Sequence, residues 1–257
     1  MGAVETDHQL AARLAMGTGQ LLVDLRRALT SEGAPRWVVE DEGDERAHRF
    51  IVEQLAASRP HDTVLSEEAI DDRRRLTAER VWIVDPLDGT REFGEPTRSD
   101  WAVHIALVVG GTPVAGAVSL PAVGLTFATD PAPSPPPAHA GPPRLVVSRS
   151  RPPMVARVIA DALGGQMLPL GSAGAKAMAV VRGEADIYAH AGGQYEWDSC
   201  APVAVAAAAG LHVSRIDGSP FAYNRPDPWL PDLLICRPEL AGPALAAVHR
   251  WSADPWS

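Results

Sequence analysis

Cysteine is nearly absent from this 257-residue chain, and the two that occur, Cys200 and Cys236, form neither a CxxC pair nor a zinc-type cluster. They suggest no metal-binding or redox role, and Cys200 reads as a packed thiol. Apolar runs are short. The longest, around Val203–Ala209, falls far below the ~20 residues of a membrane span. The N-terminus is acidic and carries no apolar h-region, so no signal peptide is expected and a cytoplasmic location is the simplest expectation. Excess positive charge is missing as well. At a formal charge of −9 no basic stripe exists to replace phosphate counterions, which argues against a nucleic-acid polymer as partner. The one basic run, Arg73-Arg74-Arg75, lies beside acids and reads as a solvated face. With 46% hydrophobic and 21% charged residues the chain reads as globular, one large or two modest domains with room for a core.

Against that background one stretch stands out, Trp82-Ile-Val-Asp-Pro-Leu-Asp-Gly-Thr90. Apolar residues leading into Asp85 predict a buried strand that ends where two carboxylates appear. Pro86 fixes φ and stiffens the turn, so Asp85 and Asp88 can be held at one strand end. Gly89 and Thr90 then open a helix N-terminus, whose free backbone N–H groups can receive a phosphate oxygen. Acids beside an anion cradle repel a phosphate unless hard cations lie between them, so the arrangement makes sense as a magnesium-dependent phosphate site. The alternative from the residues alone is an ordinary Asp/Pro/Gly turn with Asp88 as a cap.

The rest of the chain is legible in outline. Helical spacing covers His8 to Leu29 and Arg46 to Ala57. Strands are predicted near 63–65, at Val81–Val84, Ala102–Val109 and Val114–Leu120, with Gly110-Gly111 as a hairpin turn. Residues 131–143 are rich in proline and predict an exposed, partly extended loop, with a proline-recognition ligand as the alternative. Beyond it, Leu145–Ser148, Val155–Leu163, Ala175–Val181, Ile187–Ala189 and Ser199–Ala209 alternate as strand and helix. The expected organisation is an N-terminal α+β half (1–130) of helices on an antiparallel sheet, the loop, and a C-terminal α/β half (144–257).

Trp82 to Thr90 resembles the first signature of the inositol monophosphatase superfamily, the lithium-sensitive, magnesium-dependent phosphomonoesterases. Trp197-Asp198-Ser-Cys-Ala-Pro-Val-Ala-Val-Ala-Ala-Ala-Ala-Gly210 resembles the second signature, and Ser66-Glu67-Glu68 the acidic pair upstream of the first. The resemblance implies a layered αβαβα sandwich of the inositol monophosphatase/fructose-1,6-bisphosphatase type. It implies that Glu67, Asp85 and the Leu87 carbonyl bind one magnesium and that Asp85, Asp88 and Asp198 bind a second. A third, weaker ion is implied near Glu67. Asp44 pairs with Thr90 in this pattern to orient and activate the attacking water together with Glu67, and the Gly89 and Thr90 amides hold the phosphate. Each residue also has a plainer reading. Asp198 can be the N-cap of the Ala-rich helix, Glu67 and Glu68 a solvated loop pair, and Asp44 part of a charged helix start.

Lysine is the last scarcity. Of 23 Lys and Arg residues only Lys176 is lysine, within Gly171-Ser-Ala-Gly-Ala-Lys176. A compact ammonium suits a phosphate contact, and the plainer reading is an exposed surface lysine. The segment resembles the Gly-Ser-Ser-x-Lys stretch of the 3′(2′),5′-bisphosphate nucleotidases, and Val147-Ser148-Arg149-Ser150 resembles another element of that branch. The resemblance implies hydrolysis of the 3′-phosphate of 3′-phosphoadenosine 5′-phosphate, with Ser148, Arg149, Ser172, Lys176 and Asp198 as substrate contacts. The chain departs from the branch at Arg151, where histidine is usual. It departs again at Tyr188-Ala-His-Ala-Gly-Gly-Gln194, where His190 stands near an expected arginine and Ala191 near the ribose-contacting acid of inositol phosphatases. The partner is therefore expected to be a small phosphorylated metabolite. Inositol phosphate or fructose 1,6-bisphosphate are alternative substrates, and an inactive nucleotide- or sugar-phosphate-binding module is the alternative class. Family members are often dimers, and the sequence carries no independent sign of a homodimer.

Overall fold

In the computed structural model, which describes residues 4–253, two five-stranded sheets alternate with three pairs of helices. Helices α1 (Asp7–Ser31) and α2 (Arg36–Ser58) lead into β1 (Thr63–Ser66), β2 (Arg80–Asp88), the single turn α3 (Thr90–Phe93), β3 (Ala102–Val109), β4 (Thr112–Leu120) and β5 (Leu125–Ala128). These strands form the first sheet in sequence order. Only the β1–β2 pair is parallel, a departure from the all-antiparallel expectation. The second sheet contains β6 (Arg144–Ser148), β7 (Gln166–Leu170), β8 (Ile187–Tyr195), β9 (His212–Ser214) and β10 (Trp229–Cys236) in the order β7-β6-β8-β10-β9. Its β7, β6 and β8 run parallel, and β10 pairs antiparallel with both β8 and β9.

Alternation along β2 shows how the layers stack. Trp82 and Val84 pack with Leu10, Leu14, Ile51 and Leu55 of α1 and α2 on the outer face. Val81 and Ile83 pack into the central core with α5 (Ala173–Val181) and α6 (Glu196–Ala208). A strand buried on both faces reads as a continuous apolar run, which is what the sequence has there. The outer face of the second sheet is covered by α4 (Met154–Leu163) and α7 (Pro238–Ala253). The layers are therefore αβαβα, the architecture expected.

Several boundaries differ from the sequence reading. Helix α2 begins ten residues before Arg46, because Val39, Gly43, Ala47, Ile51 and Leu55 keep one face buried through the acidic run. Gly43 hides that stripe from a hydropathy reading, and close approach requires it: a Cβ there would lie 2.6 Å from Phe93 and 2.8 Å from Leu87. Asp44 is thus inside a helix pressed against the signature loop, not in a charged helix start. Helix α6 begins at Glu196, so Asp198 is its third residue rather than its N-cap. The short edge strand β7 carries Pro169, which an edge tolerates because one side of the strand is unpaired. The proline-rich stretch has no regular structure, but it is tied down where the Pro136 carbonyl accepts from Arg237 at 2.7 Å. Arg75, read with its neighbours as solvated, is fully buried.

Candidate active site

Two residues three apart in a regular strand point to opposite faces. Between Asp85 and Asp88 the β2–β3 register slips: Asp85 lies opposite His104 and Asp88 opposite Ala102, so three steps on β2 match two on β3. Pro86 lacks the N–H that a ladder needs, and the resulting bulge restores both carboxylates to one face. Asp198 meets them from the first turn of α6, and ligand oxygens of Asp85, Asp88 and Asp198 all lie within 4.8 Å of one another. The bulged strand and the helix of the adjoining layer thus create one acidic cluster.

Its electrostatics favour a cation. Asp85 is 1% exposed; its Oδ1 accepts the Leu87 N–H at 3.1 Å, and its Oδ2 has no hydrogen-bond partner. Burial, then the charges of Glu67, Asp88 and Asp198, push its carboxyl well above the usual range. Asp198 accepts the Tyr195 N–H at 2.6 Å and is raised to about 6, mainly by burial and then by Asp88. Glu67 lies just past β1 on the rim. It presents much of its surface to water, yet its carboxyl end is desolvated among the acids and rises to about 8. An orphaned buried carboxylate oxygen in an all-oxygen donor set fits a hard divalent cation.

Asp88 differs from the others. Its Oδ2 accepts from the Ser172 hydroxyl at 2.5 Å and the Gly174 N–H at 2.7 Å, and its Oδ1 accepts from Ala173 at 3.1 Å. Burial alone would raise this carboxyl, but His104, Lys176 and the Ser172 hydroxyl hold it below the usual carboxylate range. Ser172 caps α5 with φ of 38°, a left-handed conformation that costs energy in a non-glycine residue and is held by these bonds.

Thr90 Oγ1 lies 3.2 Å from both Asp44 Oδ1 and the Leu87 carbonyl, so the expected Thr90–Asp44 contact is present. Burial, followed by the charge of Glu68, raises Asp44 to about 7, and the threonine hydroxyl only partly offsets this. Gly89, at φ 90°, turns the chain from β2 into α3.

The expected substrate contacts are less uniform. Lys176 is 6% exposed, not a surface lysine. Its Nζ donates to the Gly171 carbonyl at 2.8 Å and the Ser172 carbonyl at 2.6 Å, over the Tyr188 ring. Burial lowers its pKa. Arg149 is paired with Glu92 at 2.7 Å, and Ser148 Oγ accepts from the Arg151 N–H at 3.3 Å; neither joins the acid cluster. His190 contacts the Gly193 carbonyl at 3.1 Å and burial lowers its pKa, so it does not supply the charge of the expected arginine.

One residue at the site escaped the sequence reading, and another was read as solvated surface. His104 is fully buried: its Nδ1 lies 3.0 Å from the Trp197 carbonyl, and its Nε2 lies 3.2 Å from Asp88 Oδ2 without hydrogen-bond alignment. A polar residue inside the otherwise apolar run of β3 was the available signal. Arg75 bonds Asp71 through two nitrogens (2.6 and 2.9 Å), Asn224 Oδ1 at 2.8 Å and the Arg225 carbonyl at 2.9 Å. The Asn224 and Arg225 N–H groups donate in turn to Glu196, two residues before Asp198. This chain of bonds ties the segment after Glu67 to the helix that carries Asp198.

Comparison with known proteins agrees with this geometry. The model of the inositol monophosphatase family matches residues 27–130 and 145–250. A 3′-phosphoadenosine 5′-phosphate phosphatase of Mycobacterium bovis is 50% identical over 247 residues, 93% of this chain and 90% of its own length. The 3′(2′),5′-bisphosphate nucleotidase CysQ of Escherichia coli is 32% identical over 192 residues, 70% of this chain and 78% of its own. Among solved structures, CysQ from Bacteroides thetaiotaomicron superposes with a TM-score of 0.74 at 25% identity, over 91% of this chain and 97% of that one.

Proposed function

The chain belongs to the inositol monophosphatase family, and we propose that it hydrolyses the 3′-phosphate of 3′-phosphoadenosine 5′-phosphate to AMP and phosphate with two to three magnesium ions. The reading rests on near-full-length similarity to phosphatases of that name, joined to an acid cluster whose central Asp85 oxygen lacks any donor. Glu67, Asp85 and the Leu87 carbonyl would hold one ion, and Asp85, Asp88 and Asp198 another; a third would lie near Glu67. Magnesium so held supplies positive charge against the phosphate and acidifies water.

The chain's own groups do the rest. Glu67, Asp44 and Thr90 hold and orient the attacking water, with Thr90 fixing the carboxylate of Asp44 through its hydroxyl. The Gly89 and Thr90 amides receive the phosphate at the start of α3. Ser172 presents its turn to the substrate beside Asp88. Lys176 keeps one N–H donor beyond its two carbonyls and places positive charge beneath that turn. Arg149 reaches a second phosphate by exchanging Glu92 for it, and Ser148 lies beside it at the strand end. The working location of such a metabolite enzyme would be the cytoplasm.

The test is phosphate release in magnesium from equal concentrations of 3′-phosphoadenosine 5′-phosphate, inositol 1-phosphate and fructose 1,6-bisphosphate, repeated in EDTA. The expected result is a nucleotide preference that EDTA abolishes. Equal or inositol-favoured rates would overturn the nucleotide assignment, and turnover that survives EDTA would overturn the metal site.

A further inference from the structure

Aromatic side chains are scarce in this chain: seven Trp, three Tyr and four Phe in 257 residues. Most of their surface belongs in a core, because an exposed aromatic face forgoes the burial that stabilises it. Among the described residues four aromatic side chains are nevertheless exposed: Trp37, Tyr195, Trp229 and Trp251. Two of these are neighbours, since Tyr195 of β8 and Trp229 of β10 are register partners across the antiparallel pair. Tyr195 is 45% exposed and Trp229 47%.

The pair is built rather than incidental. One face of the Tyr195 ring is backed by Trp197, with centroids 4.7 Å apart and planes within 12° of parallel. The Tyr195 N–H is fixed on Asp198 Oδ2 at 2.6 Å, so the ring begins one hydrogen bond from the acid cluster. Gly193 lies under the indole of Trp229 at φ 93°, and a Cβ there would come within 2.5 Å of its Nε1. The sequence Gly192-Gly-Gln-Tyr-Glu-Trp-Asp198 thus combines a close approach for one indole, a backed tyrosine ring and a cluster carboxylate within seven residues.

We propose that Tyr195, backed by Trp197 and flanked by Trp229, is a stacking platform for the purine base of the substrate. This rests on the nucleotide reading given above. A backed ring offers one flat π-face at low entropic cost, and a nucleobase is the flat partner that a nucleotide presents once its phosphate lies at the cluster. A second copy of the chain is the competing occupant. The position of the ring beside Asp198 favours the base, because a base tethered to a phosphate at the cluster reaches only its immediate rim.

The experiment compares wild type with Tyr195→Ala, Tyr195→Phe and Trp229→Ala, in magnesium. It measures kcat and KM for 3′-phosphoadenosine 5′-phosphate and for inositol 1-phosphate. It also measures inhibition by AMP and by ribose 5-phosphate, which lacks the base, and sedimentation of each variant. Base–aromatic stacking predicts a rise of roughly tenfold or more in nucleotide KM and AMP inhibition constant for Tyr195→Ala. The same variant should leave inositol 1-phosphate and ribose 5-phosphate unchanged, and Tyr195→Phe should retain wild-type behaviour. A merely structural role would move both substrates alike and overturn the platform. A change of association state with unchanged nucleotide KM would assign the face to a second copy instead, and overturn it too. If wild type prefers the nucleotide but Tyr195→Ala does not alter that preference, the platform alone falls. If wild type shows no preference for AMP over ribose 5-phosphate, the nucleotide reading falls and takes the platform with it.

Discussion

Replacing Asp85 by asparagine should make the metal-free protein more stable while removing its metal response. The buried carboxyl has two ways to exist without a cation, and both cost free energy. Ionised, it faces acids within 4.8 Å, each repulsion worth about 3.5 kcal/mol at an effective dielectric of ~20. Protonated, it must take up a proton on folding that the unfolded chain, with a carboxyl pKa of ~3.9, does not hold at neutral pH. The protonated route sets the ceiling, about 4 kcal/mol at pH 7, since each pH step above the unfolded value adds about 1.4 kcal/mol.

The direction of the pH effect follows from Asp85 being raised, not lowered, by the fold. The folded state binds more protons at intermediate pH, so stability falls as pH rises above ~4, and below that value the penalty vanishes. The uncharged amide of the Asp85→Asn variant avoids the penalty and can still accept the Leu87 N–H through its carbonyl oxygen. In EDTA at pH 7 the variant should therefore melt several degrees above wild type, at about 2–4 °C per kcal/mol for a chain of this size. Near pH 4 the two should converge. Magnesium should reverse the order, because only wild type gains the stabilisation that ligand binding gives the folded state. Thermal melts at both pH values, with EDTA or magnesium, read all of this. A variant that melts below wild type in EDTA at pH 7, or keeps its advantage at pH 4, would refute the reasoning.

Arg75→Met should destabilise the protein by about 2–4 kcal/mol, since it removes the bidentate partner of Asp71 and leaves the Asn224 and Arg225 oxygens without their donor. It should also raise the magnesium half-saturation several-fold because Glu67 and Asp198 lose their common anchor; isothermal titration separates that from the drop in melting temperature. In the proposed role of activating water, Asp44, raised to about 7 mainly by burial and then by Glu68, must be ionised to take up a proton. The acid limb of kcat/KM should therefore sit near neutrality at low magnesium and move to lower pH as magnesium rises, because a bound cation favours the ionised acids. A limb that stays fixed across magnesium concentrations in pH–rate profiles would show that Asp44 does not titrate with the cluster.

The candidate site was legible in the linear sequence where it depends on residue types at short spacing. Asp85, Pro86, Asp88, Gly89 and Thr90 lie within six positions, and the strand before them is marked by apolar residues on both faces. Single elements were legible for the same reason, since α1, β2, β3 and α5 each carry a strong local period or run, while their stacking into αβαβα layers was implied by the family resemblance. Helix α2 was only half legible, because glycine at position 43 masks the stripe that close packing requires. Only the tertiary structure could show that a one-residue bulge turns two carboxylates to the same face; spacing says nothing of Asp198, which the resemblance grouped with them and which the first turn of α6 brings there from the next layer. Arg75 reads as surface charge beside Arg73 and Arg74, yet it is buried where Asn224 and Arg225, about 150 positions away, close over it as partners. Lys176 is distinctive in sequence as the only lysine, but its direction was decided by two carbonyls of its own helix entrance, which draw the ammonium inward. Local chemistry thus follows from the order of residues, while the direction in which each charge points follows from what the folded layers bring within a few ångströms of it.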